Sequence, residues 1–250
     1  QIILIGFPNA SLFKHSPFIS FHGGIIVLES ATGGKLMIRC KNINFQSGEK
    51  KILKGIDLEI HQGEKIIIEG ESGSGKSSLI KALLYYISFS GSIYYEGQLV
   101  DVGSIKSYRR QIAYLGQRIP DLNHRVSDFL TLYQGFREND GLSVDQAILD
   151  QHLDQMTFKR SILDAEFNQL SGGEKQRIAV IAVLMLNKSI YIFDEITSAL
   201  DPKNIDRVIS SITRDKDRTV LLISHNSDSR RYFNRQIRMA AGEIVDDRYI

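Results

Sequence analysis

The sequence predicts an α/β fold: a mostly parallel sheet flanked by helices, with an antiparallel β edge subdomain and a helical subdomain. Three observations predict it. Apolar runs at residues 66–69, 112–116, 189–193 and 219–224 have the length and composition of buried strands, and helical apolar spacing lies between them. Residues 36–60 alternate apolar and polar positions around a polar turn, the pattern of a half-buried hairpin. Residues 118–170 carry only helical spacing. No internal repeat or low-complexity segment interrupts the chain.

Residues 1–35 read as an N-terminal extension, with short strands expected at 2–5 and 25–28 and breaks at Pro8, Pro17, Gly23 and Gly24. The chain begins at Gln1, so a processed or truncated start, an added strand pair and an appended segment are the open readings. From Leu36 a strand is expected over 36–45, a turn over 46–50 and a strand over 56–60, forming an antiparallel edge sheet. The buried strand at 66–69 leads into a helix over 78–86, where Leu79, Ile80, Ala82, Leu83 and Leu84 share helical spacing. Further sheet segments are expected at 92–95 and 98–100, and a core strand at 112–116. In the helical lobe, Val126, Phe129, Leu130 and Tyr133 mark one apolar face and Ile148, Leu149, Leu153 and Met156 another. A long helix over 172–187, a strand over 189–193, a helix over 203–213 and a strand over 219–224 complete the pattern. Such a sheet binds ligands beyond the carboxyl ends of its strands.

Composition narrows the classes. The chain is 42% hydrophobic and 24% charged, ordinary globular material. Its 31 basic and 29 acidic side chains leave a net charge of +2, with no electrostatic demand for nucleic acid or an anionic membrane. Cys40 is the only cysteine, which excludes an internal disulfide and suits a reducing cytosol. No apolar run approaches the ~20 residues that span a bilayer, so a soluble or peripheral protein is expected.

The strand at 66–69 runs into Gly70, Glu71, Ser72, Gly73, Ser74, Gly75, Lys76 and Ser77, with Ser78 opening the helix. Glycines in that connection let successive N–H groups converge into an anion-binding nest at a helix N-terminus. Lys76 adds a point charge for β- and γ-phosphates, and the Ser77 hydroxyl suits Mg²⁺, which keeps most of its waters. This is a Walker A loop. The bland alternative is a glycine-rich turn with an accidental lysine, and the pattern arises by chance in roughly one chain in a hundred of this length.

Leu170, Ser171, Gly172, Gly173 and Glu174 form a second glycine-bearing stretch. Ser171 and Glu174 have capping-box spacing, so a helix starts here and its exposed N–H donors make another potential phosphate site. A capped helix and nothing more is the alternative. The strand at 190–193 then ends at Asp194 and Glu195, an apolar-strand-then-acid Walker B pattern. Asp194 is placed to hold water on Mg²⁺ near Ser77, and Glu195 to polarise an attacking water as general base. An Asp-Glu pair is more often solvated surface, but four apolar residues before it argue against that.

With these motifs in order, the chain resembles the ATP-binding subunits of ABC transporters from about Leu36 to the C-terminus, which implies a P-loop NTPase of ABC type. The resemblance adds Gln117 as the Q-loop glutamine, a Mg²⁺ ligand and hinge to the helical subdomain at about 118–170. It makes residues 170–177 the signature, Ser198, Ala199, Leu200 and Asp201 the D-loop, and His225 the γ-phosphate switch residue. It implies ATP and Mg²⁺ as cofactors and an ATP-dependent head-to-tail homodimer in which Walker A of one subunit and Ser171, Gly172 and Gly173 of the other sandwich each ATP. A separate integral membrane permease would be the partner, placing the protein on the cytoplasmic face of the membrane, with no nucleic acid expected. The signature, the run at 194–201 and the ending around Ala241, Gly242 and Glu243 look similar to the small ATPase subunit of a bacterial iron-export system.

There are departures. The family places an aromatic residue for adenine two positions after a strand phenylalanine; counting from Phe45, this chain has Ser47, leaving Phe45 or the extension as substitutes. Ile196 stands where many relatives have proline, and residues 164–169 lack the glycine- and glutamate-containing segment of fused exporters, favouring a stand-alone subunit. A non-transport ABC ATPase acting on DNA or ribosomes is the alternative function, and a non-hydrolysing regulatory module a third; Glu195 and His225 argue against the last.

Overall fold

The computed structural model describes residues 34–119, 123–134 and 145–250, together with strands β1 (Ile19–His22) and β2 (Ile25–Leu28). The chain divides into two compact units, Gln1–Lys35 and Leu36–Ile250. In the first, β1 and β2 pair antiparallel, Ile19 opposite Leu28. The strand expected at 25–28 is β2; the one expected at 2–5 lies outside the described residues.

The second unit contains two sheets. One is antiparallel, ordered β4-β3-β6-β7, from β3 (Leu36–Ser47), β4 (Lys50–His61), β6 (Ser90–Tyr95) and β7 (Gln98–Leu99). The two long strands run further than period-two alternation marks, because backbone pairing continues through the polar residues to Ser47 opposite Lys50. In β4 the alternation is clear: Ile56, Leu58 and Ile60 are buried, with Asp57 and Glu59 exposed between them.

The other sheet has the order β12-β11-β5-β10-β9-β8, from β5 (Lys65–Glu69), β8 (Ile112–Leu115), β9 (Ile190–Asp194), β10 (Thr219–Ile223), β11 (Arg235–Ala240) and β12 (Glu243–Tyr249). All its pairings are parallel except β11 with β12. Central strands β5, β9 and β10 are buried at every position, as expected of a parallel sheet covered on both faces.

Alternate residues of these strands feed two cores. Ile67, Tyr191, Phe193, Val220 and Leu222 enter one, with α3 (Val126–Gln134), α4 (Gln146–Gln155), α5 (Gly172–Leu184) and α6 (Pro202–Thr213). Ile66, Ile68, Ile190, Ile192, Leu221 and Ile223 enter the other, with α1 (Lys76–Leu83), α2 (Ile105–Arg109) and the antiparallel sheet. α5 is buried from Ile178 through Leu184, so it acts as the shared wall between the sheet and the helices of residues 126–155. Those helices share the sheet's core rather than closing one of their own.

Several expectations change in detail. Helix α5 ends at Leu184 and not at residue 187, where Asn187 takes a positive φ, and α1 spans Lys76–Leu83 instead of 78–86. Ile148 is 45% exposed: Leu149, Leu153 and Met156 form the buried stripe, and Ile148 sits about 100° round the helix from Leu149. Helix α2 and the β11–β12 hairpin carry no clear hydropathy signal. In β11, Arg235 and Gln236 are themselves buried, which breaks the apolar pattern.

Candidate functional site

The phosphate-loop candidates lie between β5 and α1. Gly70 has φ +153°, and a Cβ there would stand 2.2 Å from the Met239 carbonyl oxygen, so only glycine allows the loop to leave β5 beside β11. The Ser74 carbonyl accepts from the Gly242 N–H at 3.0 Å, seating the loop on the β11–β12 turn. Glu71, Ser72 and Gly73 form an exposed crest, whereas Ser74, Gly75 and Lys76 are buried and Ser77 and Ser78 half-buried. Gly75 caps α1 in the left-handed region, with no side-chain hydrogen bond and no acid in the first turn. The helix therefore presents its positive end and N–H donors without a counter-charge of its own.

The Lys76 Nζ donates to the Gly70 and Glu71 carbonyls, each at 2.8 Å. Burial lowers its pKa, while the negative charges of Glu195 and Asp194 push it back up. Asp194, 6% exposed at the end of β9, accepts from the Ser77 hydroxyl at 3.5 Å. Burial raises the Asp194 pKa against the Ser77 hydrogen bond, and the Glu195 charge raises it further. Hard oxygens from Ser77 and Asp194 facing each other beside the loop fit a Mg²⁺ ion, which takes few protein ligands and retains water. Among the described residues there is no cluster of three or more His, Cys, Asp or Glu side chains that would suit a metal cage instead.

Glu195 takes φ +54°, an uncommon conformation for a residue with a side chain, and its N–H donates to the Ile223 carbonyl at the end of β10. Its carboxylate is held from two sides. Gln117 Nε2 donates to Oε2 at 2.7 Å, and His225 Nε2 lies 3.1 Å from Oε1. Gln117 follows β8, Glu195 follows β9 and His225 follows β10, so three side chains from distant sequence positions meet where neighbouring parallel strands end. A cleft of about 320 Å³ opens there, lined by Glu195, Ser198, Ser224, His225 and Asn226. A carboxylate so placed can orient and deprotonate a water, with the imidazole beside it.

Ser171, Gly172 and Gly173 gather elsewhere, against the D-loop. Ser171 caps α5 in a complete capping box: its Oγ accepts from the Glu174 N–H at 3.3 Å, and Glu174 Oε2 accepts from the Ser171 N–H at 2.9 Å. The hydrogen bonds from Ser171 hold the Glu174 carboxyl below its usual range. A Cβ on Gly173 would lie 3.3 Å from the Ala199 carbonyl oxygen and 3.4 Å from Leu200 Cδ2, so α5 and the D-loop approach closely. Asp201 caps α6, accepting from the Asn204 N–H at 3.0 Å, with Pro202 as the first helical residue.

At the expected base end, Ser47 lies opposite Lys50 at the tip of the β3–β4 hairpin. Phe45 is half-buried against the second core and lines a cavity of about 430 Å³ with Lys51, Leu53 and Phe89. The sequence reading gave no place in the site to Glu69, which bonds Arg230 and Gln236, or to Gly242 beneath the loop. The only local signal was an acid ending an apolar run.

The doubly covered parallel sheet with a glycine-rich loop at a strand end and an acidic pair at its neighbour's end defines a P-loop nucleotide-binding protein. The ABC transporter family model matches residues 53–198, and the chain belongs to that family as an ATP-binding subunit, a family of ATPases. It is 33% identical over 219 residues to the probable iron export ATP-binding protein FetA of Escherichia coli K12, covering 85% of this chain and 96% of that one. It is also 33% identical over 242 residues to the α-hemolysin translocation ATP-binding protein HlyB of Escherichia coli O6:H1, covering 93% of this chain but 33% of HlyB. The latter share exceeds what Leu36–Ile250 supplies, so that likeness reaches into residues 1–35. Among solved structures, a dimeric bacterial ABC transporter cassette aligns with TM-score 0.73 and 25% identity, covering 85% of this chain and 98% of that cassette.

Proposed function

We propose that the chain is a Mg²⁺-dependent ATPase that dimerises head-to-tail on ATP and drives a separate membrane permease, working at the cytoplasmic face of the membrane. The observation that carries this reading is the Glu195 carboxylate held between Gln117 and His225 beside the phosphate loop. In this reading the N–H groups of residues 70–78 and the Lys76 ammonium take the ATP phosphates, Lys76 leaving the Gly70 and Glu71 carbonyls to do so. Glu195 accepts the proton of the attacking water, and His225 steadies the γ-phosphate. Ser77, Asp194 and Gln117 would hold Mg²⁺, which neutralises charge developing on the phosphates. Ser171, Gly172 and Gly173 meet the ATP of the partner subunit, a role supported by the exposure of Ser171 and Gly172 at a helix N-terminus. The packing of the α5 N-terminus on the D-loop gives that contact a direct path to Glu195, whose carbonyl accepts from Ser198 Oγ at 3.2 Å. Movement would pass to the permease through the helices of residues 118–170. No described helix is long and apolar enough to cross a membrane, in keeping with a separate permease.

Iron export is the cargo reading, supported by the likeness to FetA along nearly that protein's full length. Reconstituted with its permease, the protein should drive ATP-dependent movement of Fe²⁺ across vesicles; stimulation by other substrates and none by iron would overturn that reading. For the ATPase itself, Glu195→Gln should retain ATP binding, accumulate as a dimer on ATP in size-exclusion chromatography and lose turnover by about 10²–10⁴-fold. Unimpaired hydrolysis would sink the assignment.

A further inference from the structure

Glu69 ends β5, one residue before Gly70, and is 8% exposed. Both its oxygens accept from Arg230 Nε, at 2.8 and 3.0 Å, and Oε2 also accepts from Gln236 Nε2. Gln236 Oε1 in turn accepts from Arg248 Nη2 at 2.9 Å. Arg230 belongs to the 3₁₀ segment Ser227–Tyr232, capped by Asn226, immediately after His225. The backbone leading into His225 is fixed to the same strand, because the Ser224 N–H donates to the Ile68 carbonyl at 3.3 Å. The His225 segment is thus fastened to β5 on both sides of the histidine, first by a backbone bond at Ile68 and then by a side-chain ion pair at Glu69.

A carboxylate at this point is costly. Residues 66–68 are wholly buried isoleucines, and an apolar residue continuing that run would avoid the desolvation of an acid. The pair is one-sided, with the Glu69 side chain 10% exposed and the Arg230 side chain 47% exposed, so solvent screens it and it is weak grounds for stability; its consequence lies in the arrangement it fixes. What it fixes here is specific: the segment following His225 relative to the start of the phosphate loop. Resting on the reading of His225 given above, we propose that Glu69 and Arg230 are a positioning pair that sets where the His225 imidazole stands relative to the phosphate loop and Glu195. Neither touches the reacting atoms; both act through the loop that carries His225.

The test uses the full chain and reads kcat, KM for ATP and the melting temperature of Arg230→Met, Arg230→Lys and Glu69→Gln, with His225→Ala as reference. Displacing a positioned group by about 1 Å costs on the order of 10²-fold in rate. Partial loosening should lower kcat about tenfold in Arg230→Met and Glu69→Gln, leaving KM for ATP within about twofold because the phosphate loop keeps its seat. Arg230→Lys, which retains the charge, should recover most of the loss. In a His225→Ala background Arg230→Met should cause no further loss, since the imidazole it positions is gone. If Arg230→Met melts below the assay temperature, the double variant Glu69→Met/Arg230→Met, which leaves no unpaired buried charge, should show the same kcat loss. An unchanged kcat in these variants, a rise in KM in place of the kcat loss, or a further full loss on top of His225→Ala overturns the pair. Wild-type turnover by His225→Ala would instead overturn the reading of the histidine itself, so the two failures are distinguishable.

Discussion

The starts of α1 and α5 are both glycine-bearing, yet they satisfy their backbone donors in opposite ways. α5 is self-sufficient: Ser171 and Glu174 exchange hydrogen bonds, and Glu174 places an acid in the first turn against the positive end of the helix dipole. α1 has Gly75 as its cap, no side-chain bond to its first donors and no first-turn acid. A loop that takes polyphosphate gains from donors left uncommitted, because capping them internally would oppose the ligand. The α5 start instead has to hold its shape at an exposed surface and against the D-loop, which a capping box secures locally. Tertiary contacts show the same division. The α1 loop is seated on the β11–β12 hairpin, at Met239 and Gly242, while the glycines of the α5 start lie against Ala199 and Leu200 of the D-loop.

Three variants would break or sharpen this contrast. Lys76→Ala removes the only loop cation, whose charged hydrogen bonds are each worth about 1.5–3 kcal/mol. ATP affinity measured by calorimetry should fall by about 10–100-fold; retained affinity would contradict the cradle. Ser171→Ala should act on the fold and leave monomer ATP affinity alone: loss of a cap of about 1 kcal/mol lowers the melting temperature by about 2–4 °C. A fall in monomer ATP affinity would show that the two helix starts are not separate sites within one chain. The smallest effect concerns Glu174, whose folded-state pKa is depressed by Ser171. Its contribution is therefore present above the unfolded value of about 4.3 and lost as pH falls through the lower folded value. In Glu174→Gln, melting curves across acid pH should lose that component of the pH dependence, with little change near neutrality because glutamine still completes the box.

Legibility differed along the chain for physical reasons. The buried runs of β5, β9 and β10 were visible because parallel strands covered on both faces must be apolar throughout. The Ser171 and Glu174 box was visible because capping is a contact between residues three apart. β11 was not, because Arg235 is buried against Glu64 and Asp247 and Gln236 against Glu69. A sequence shows such residues as polar and exposed; only their partners make them core. Ile148 erred the other way, an apolar residue placed just off the buried stripe of α4.

By itself the sequence determined the phosphate loop, the capped helix and the acid-terminated strand, since each rests on backbone or side-chain chemistry within a few residues. The tertiary structure alone decided which of these meet. Gln117 and Glu195 are 78 positions apart, Glu195 and His225 are 30, and Glu69 and Arg230 are 161, and each pair is joined by a hydrogen bond. Those meetings depend on strand order in the sheet, where β8, β9, β10 and β5 lie side by side with their carboxyl ends aligned, and strand order is a property of the packed core.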